Sequence, residues 1–507
     1  MPSSLLGHLR PTVRLVSSSS FSTASTYSPG VPLGLASYPS GVASPQARTA
    51  NGTPRARLDF QQRLTYVLWI VILFDPQFLL ASVHLTFALR VPLVLTVALA
   101  VSLVVKPGRG EWFIGMIAWL ALMAIDMPFA YNRGVAMGPF RTMILFYLIG
   151  LSVVRGLRQP RSIDFIFFTL CVVQYLWWGG WGIHAGLVSW HPNLDNFDGY
   201  GPLMACGVGP AYYYACATRN RWKRRVSFVA AGMCIIGVVS AFARGSVLAL
   251  VVTVGYIWLR SPNKKRATAL IAVGLVLVAI AASLIDGTTR GDDTRANFWD
   301  EMSTMFDDSA GSTGDDREHL WRAATIVFRQ HPILGVGANN FGPAAVTLIA
   351  PGEIKGAAFA DNPDMLYSRA LHSNYFQLLS ELGLAGVAIY TFMIGQFWLR
   401  SRFVLRTARS IDLSHGGVPD PRNLALGLES GMVAYLVTGV FFNQIYTAWF
   451  FCLLFANALL YHRAVAARRA RSPQLTGQRS NPMSHNLGFP TPRSSPALHQ
   501  DATQTHF

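Results

Sequence analysis

The feature that most constrains this chain is a recurring apolar run about as long as a bilayer is thick. A spanning helix needs roughly 20 mostly apolar residues, within a range of ~17–25. Such runs lie near 64–83, 88–105, 112–130, 142–156, 164–182, 202–218, 226–242, 247–260, 267–285, 373–398, 425–442 and 446–462. In hydrocarbon the backbone must satisfy its own hydrogen bonds, which favours helices for runs of this kind. The pattern predicts an all-α polytopic membrane protein with about twelve transmembrane helices. Arg244 separates the seventh and eighth runs. An arginine at mid-bilayer costs at least ~2.5 kcal/mol on insertion scales, so a surface turn is expected there.

Charge gives the orientation. Only 13% of the residues are charged, yet the net charge is +17. That is too little charge to clothe several soluble domains, and the chain is too apolar to be disordered. With the N-terminus inside, 31 of the 42 basic residues fall on inner segments, including the runs RNRWKRR (219–225) and RSPNKKR (260–266). Short loops decide topology by their Lys and Arg content, so both termini are read as cytoplasmic. The basic excess is thus an orientation signal, and nucleic acid is not an expected partner.

The chain divides into a basic tail (1–62), spans one to nine (63–285), one large outer segment between spans nine and ten (286–371), spans ten to twelve (372–462), and a second basic tail (463–507). Both tails are rich in Ser, Pro and Arg and read as disordered. The start of the first also resembles an organelle transit peptide, but a basic tail beside an anionic leaflet is the preferred reading. The five cysteines lie in apolar stretches and imply neither a disulfide framework nor a metal site.

The outer segment carries thirteen acids and seven bases. Two helices are expected in it, near 294–306 and 317–330. In the second, Leu320, Ala324 and Val327 repeat at helical spacing, Asp315 or Asp316 is a candidate cap, and Pro332 ends the helix. Its acidic pairs read as solvated loops and caps, not as a divalent-metal site. Gly335-Val336-Gly337 lacks the third glycine and preceding strand of a dinucleotide fingerprint and reads as a tight turn. Across the outer face, Trp177, Trp178 and Trp181 sit where an interfacial aromatic belt belongs. His184, His191, Asp195 and Asp198 follow them without metal-ligand spacing.

Three motifs stand out together: AFARGSVLALVV with Arg244, LWRAATIVFRQHPILGVGANNFG with Arg322, and LHSNYFQLLSELGLAGVAIY with His372. Their order, spacing and common membrane face resemble the bacterial O-antigen ligase and O-antigen polymerase superfamily. The resemblance covers about 240–400 by motif. Two positions depart from it. Ala243 stands where Ser is frequent, and Ser373 separates His372 from Asn374, a form similar to the O-glycosylation ligase branch.

The resemblance implies a GT-C-like glycosyltransferase of the bacterial inner membrane, active on its periplasmic side. Its donor is a glycan on a polyprenyl pyrophosphate, and its acceptor is a hydroxyl of the lipid A core, of another glycan or of a protein. No cofactor and no metal are implied. The chemistry needs guanidinium groups on the leaving pyrophosphate and a base for the acceptor hydroxyl, for which a neutral His is suited. His372 is the candidate base, and Arg244, Arg322 and Arg369 are candidate phosphate ligands. Tyr375 and Phe376 are placed on the His372 helix face, against lipid or sugar. Glu381, deeper along that helix, is read first as a structural partner. Each residue alone has a plainer reading: a snorkelling Arg244, a solvated Arg322, a helix-start His372. The rival class is a twelve-span secondary transporter, which would predict internal repeats; no matching halves are evident.

Overall fold

The computed structural model describes residues 59–74, 91–105, 111–184, 197–241, 243–285, 289–290, 294–295, 313–357, 359–411, 413 and 418–479. The basic tails up to residue 58 and beyond 479, most of the 294–306 helix, the 75–83 part of the first run, and His191 and Asp195 lie outside them.

The described helices are α1 (Phe60–Phe74), α2 (Val91–Val105), α3 (Ile114–Asp126, extended by a 3-10 turn Met127–Phe129), α4 (Arg133–Gly156), α5 (Pro160–Phe168), α6 (Gln174–His184), α7 (Phe197–Ala217), α8 (Arg221–Ser240), α9 (Arg244–Arg260) and α10 (Lys264–Ile285). They continue with α11 (Thr313–Gln330), α12 (Phe341–Leu348), α13 (Asn374–Ser410), α14 (Pro421–Thr438) and α15 (Ala448–Arg479). A π turn at Thr169–Val173 joins α5 to α6. Each of the twelve apolar runs overlaps one of these helices. Among the described residues, four stretches are long and apolar enough on their own to cross a membrane: Arg133–Gly156, Pro160–Gly182, Asn374–Ser410 and Ala448–Arg471. The apolar pattern is broken between Ser240 and Arg244, where α8 ends and α9 begins.

Large apolar side chains are exposed along several helices, among them Val94, Val97, Val101 and Val104 on α2 and Leu275, Val276 and Ile280 on α10. Apolar surface of that extent is unsuited to water and suits lipid. Inside, α7 packs against α8 and α14, and α9 packs against both α7 and α14. Small residues permit this close approach: Gly209 of α7 faces Ser430 and Gly207 faces Tyr175 and Cys234. Trp178 is buried and donates to the Leu73 carbonyl at 3.2 Å, so one of the three expected belt tryptophans belongs to the core.

The outer segment has its own core, built from Leu320, Ala324, Val327, Val336, Phe341, Ala345, Ile354, Phe359 and Leu366. Its long helix starts at Thr313. Asp315 and Asp316 therefore fall within its first turn, and neither is the cap. Thr294–Arg295, the part of the 294–306 region described, pairs antiparallel with Thr289–Arg290.

The segment after α11 is locked into α13. Gly383 breaks α13 with φ 61° and ψ −161°, a region essentially restricted to glycine. An unbroken helix would bond Leu384 N–H to Ser380 C=O and Ala385 N–H to Glu381 C=O. Here the chain from Pro332 to Gly337 inserts instead. Val336 and Gly337 donate to Ser380 and Glu381 at 3.1 and 2.9 Å, while Leu384 and Ala385 donate to Pro332 and Ile333 at 2.9 and 3.0 Å. A Cβ on Gly383 would lie 2.6 Å from the Ile333 carbonyl carbon, and one on Gly335 (φ 79°) would strike the Glu381 backbone. The two glycine motifs are thus the halves of one backbone interlock.

Candidate active site

A cavity of about 490 Å³ opens beside this interlock. Its walls come from Asn339, Phe341–Pro343, Tyr367–His372, Gln377 and Glu381 of α13, and the α14–α15 loop from Asn443 to Thr447. Val135, Gly199 and Trp449 complete it. Val135 and Gly199 lie at the starts of α4 and α7, and Trp449 at the start of α15. Helices that alternate in direction put all these ends on one face, together with the outer segment.

His372 precedes α13, whose N-cap is Ser373. It holds a left-handed backbone, φ 49°. Asn339, also at the cavity, does the same at φ 56°. Non-glycine residues seldom adopt this conformation, though Asn and His are enriched in it. Such strain persists only where surrounding contacts fix it, and those contacts are visible. Ser373 N–H donates to Asn443 Oδ1 at 2.9 Å. Asn374 N–H donates to Gly439 C=O at 2.7 Å, and the Asn374 side-chain oxygen accepts from Gln444 N–H. The α14–α15 loop therefore clamps the residues just after His372.

Because α13 starts after His372, Tyr375 and Phe376 do not share a helix face with it, contrary to the spacing argument. Tyr375 points away and donates to the Leu436 carbonyl at 2.8 Å. Phe376 stacks on Trp321, with centroids 5.1 Å apart and planes at 13°. Neither lines the cavity.

The arginines separate. Arg369 is exposed and lines the cavity with His372. Arg322 does not. It pairs with Glu318 at 2.5 Å, both side chains about 60% exposed, and faces an adjoining groove with Trp321, Arg329 and Lys355. The two surfaces are tied together where Trp321 Nε1 donates to the Leu371 carbonyl at 3.1 Å. Arg244 is the first residue of α9 and half-buried. It does not line the cavity but lies next to Gly245, where a Cβ would come within 2.8 Å of Phe441 in the clamping loop. A cation at a helix N-terminus works against the helix dipole; together they attract an anion.

Glu381 is buried and lines the cavity floor. It accepts hydrogen bonds from Tyr446 OH and Asn339 N–H, both at 2.8 Å, and from Gln377 Nε2 at 3.3 Å. It thereby joins three wall elements. Asn339, Asn443, Gln444 and Tyr446 were not singled out from sequence. The signal available was the polar group Asn443-Gln444 between two apolar runs, where a short turn accounted for it equally well.

Residues 228–391 match the family model described as O-antigen ligase. The match contains Arg244, Arg322, Arg369, His372, Glu381 and both halves of the interlock, and stops short of the clamping loop. No curated protein matches the chain. The exposed apolar helices and the matched domain together mark a bacterial membrane protein with a glycan ligase- or polymerase-type function. The chain thus carries, over residues 228–391, a domain of the O-antigen ligase family.

Proposed function

We propose that this protein is a membrane glycosyltransferase that moves a glycan from a polyprenyl-pyrophosphate donor to an acceptor hydroxyl, foremost of the lipid A core. The reaction takes place at the periplasmic face of the inner membrane. In this reading the chain crosses the membrane twelve times in a GT-C-like arrangement, with both termini in the cytoplasm. The observation that carries the proposal is the cavity holding His372 and Arg369, walled by helix ends of one face and lying largely within the matched domain.

His372 takes the proton of the acceptor hydroxyl as its oxygen attacks the anomeric carbon. The bond from that carbon to the pyrophosphate oxygen breaks, and the electron pair leaves with the pyrophosphate. Arg369 faces the growing negative charge from the cavity wall, where a fixed guanidinium is most effective. Arg322, in the adjoining groove, and Arg244, at the start of α9, lie outside the cavity and are assigned to the lipid-proximal side of the bound donor. The strained backbone at His372 supports a positioned base, since strain of this kind concentrates at functional sites.

The test is purified protein supplied with a defined polyprenyl-pyrophosphate glycan and, in turn, lipid A core, a glycan repeat and a hydroxyl-bearing peptide. Transfer to the first is expected; transfer only to the second or third would reassign the protein as a polymerase or a protein O-glycosylation ligase. His372→Ala is expected to lower transfer about 10²–10⁴-fold, the usual range for a lost general base, with the protein still inserted. Full activity in that variant would sink the mechanism.

A further inference from the structure

On the face opposite the cavity, the far ends of α13 and α15 enclose a second space of about 710 Å³. Arg402 and Arg406 enter it from α13, and Arg468 and Arg471 from α15. Each pair is spaced by four or three residues, so it shares one helix face. Among the described residues no Asp or Glu lines the space, and its remaining wall includes Leu399, Phe403 and Ile411. From these observations we infer that this groove is a binding site for the headgroup of an anionic phospholipid.

Three features favour a lipid over a free anion. First, the depth fits. Below the break at Gly383, Arg402 lies 18 residues beyond Leu384, or about 27 Å at 1.5 Å per residue, close to the ~30 Å thickness of the hydrocarbon core. Second, the groove continues an exposed apolar stripe of α13. Leu384, Phe392 and Leu399 are 54%, 46% and 67% exposed, and at seven- or eight-residue spacing they run straight down to Arg402 and Arg406. An acyl chain has a path along the stripe that ends at the arginines. Third, the guanidinium groups are partly arranged in advance. Arg471 Nη1 donates to the Ser410 carbonyl at 2.5 Å, and the Arg468 guanidinium lies 5.8 Å from the Phe403 ring centroid. Such groups keep further N–H donors for phosphate oxygens.

The test uses the full-length protein in nanodiscs of phosphatidylcholine with or without phosphatidylglycerol, with retained lipid read by native mass spectrometry. Phosphatidylglycerol is expected to be retained over phosphatidylcholine. The combined Arg402→Gln, Arg406→Gln, Arg468→Gln and Arg471→Gln variant is expected to lose at least about tenfold of that preference. A basic residue at an anionic surface contributes a factor of about five. Arg221→Gln with Arg224→Gln and Arg225→Gln, on the same face but outside the groove, is expected to keep it. The single variants Arg406→Gln and Arg468→Gln guard against misfolding: each is expected to keep the wild-type melting midpoint and lose part of the preference. Equal retention by the wild type and the fourfold variant overturns the site, as does equal loss in the control. Displacement of the lipid by excess inorganic phosphate would overturn the lipid assignment in favour of a free anion.

Discussion

At the cavity end of the bundle, Glu381 is held by hydrogen bonds from Tyr446, Asn339 and Gln377. At the opposite end, Glu429 of α14 meets Arg260 at 2.8 Å and also accepts from Tyr256 and Ser401. The same end pairs Asp164 with Lys223 at 2.5 Å and Glu111 with Arg400. Among the described residues, neither Glu381 nor the buried Asp126 forms an ion pair. Each glutamate thus ties its own helix to two other elements through directional donors, and the far end adds cations to those donors. The cavity end is therefore held by hydrogen bonds from neutral donors and the other end by charge-assisted attachment between helices.

Glu381→Ala strikes the comparison hardest. It leaves Tyr446 OH, Asn339 N–H and Gln377 Nε2 without their acceptor in a buried site. At about 1–3 kcal/mol for each unsatisfied group, and with some relief from water at the cavity, the loss is expected to reach about 3–5 kcal/mol. A large fall in melting midpoint together with loss of glycan transfer is expected. Glu381→Gln keeps the volume and one acceptor oxygen, so it is expected to recover most of the stability. If Glu381→Ala melts like the wild type, the three walls are not held through this residue.

Removing Arg260 tests the other end. Arg260→Gln deprives buried Glu429 of its cation but leaves Tyr256 and Ser401 in place. Breaking a fully buried pair costs about 3–5 kcal/mol. The Arg260 side chain is 41% exposed, and screening reduces the expected loss to about 1–2 kcal/mol. Transfer by the surviving folded protein is expected to stay within about twofold of wild type, a shift of under ~0.5 kcal/mol. Lost transfer at unchanged stability would mean that this end also shapes the site.

The two ends also differed in how far the sequence revealed them. Arg and Lys at the ends of apolar runs announced the attachment face, because insertion and orientation depend on local composition. The break before Arg244 was legible for the same reason, as was the turn at Gly335–Gly337. The break at Gly383 was not. The apolar pattern runs through it, and its bonding partners lie some fifty residues earlier, at Pro332–Gly337. Likewise His372 and its motif were visible, but the clamp on the segment after it comes from Asn443 and Gln444, seventy residues on. Periodicity reports a residue's own helix; contacts between distant loops leave no local trace. That is also why Tyr375 and Phe376 were placed with His372. A helix begun two residues later sends all three in different directions.

The smallest expected effect concerns the ion pair of Arg322 with Glu318 on the cavity face. Arg322 and Glu318 are both about 60% exposed at 2.5 Å, an i,i+4 pair of the kind that contributes about 0.3–0.5 kcal/mol and weakens in salt. Glu318→Gln is therefore expected to change stability by no more than that. Its effect on donor binding is more informative. If Arg322 turns from Glu318 to the pyrophosphate, removing the competing carboxylate returns the same energy to binding, and the donor KM falls about twofold. Arg322→Gln should move KM the opposite way and by more, because a charge-assisted contact is lost outright. The gain from Glu318→Gln should shrink as salt rises, since the competing pair is itself screened. Unchanged donor KM in both variants would leave Arg322 as a solvated helix residue and confine the site to the cavity of His372 and Arg369.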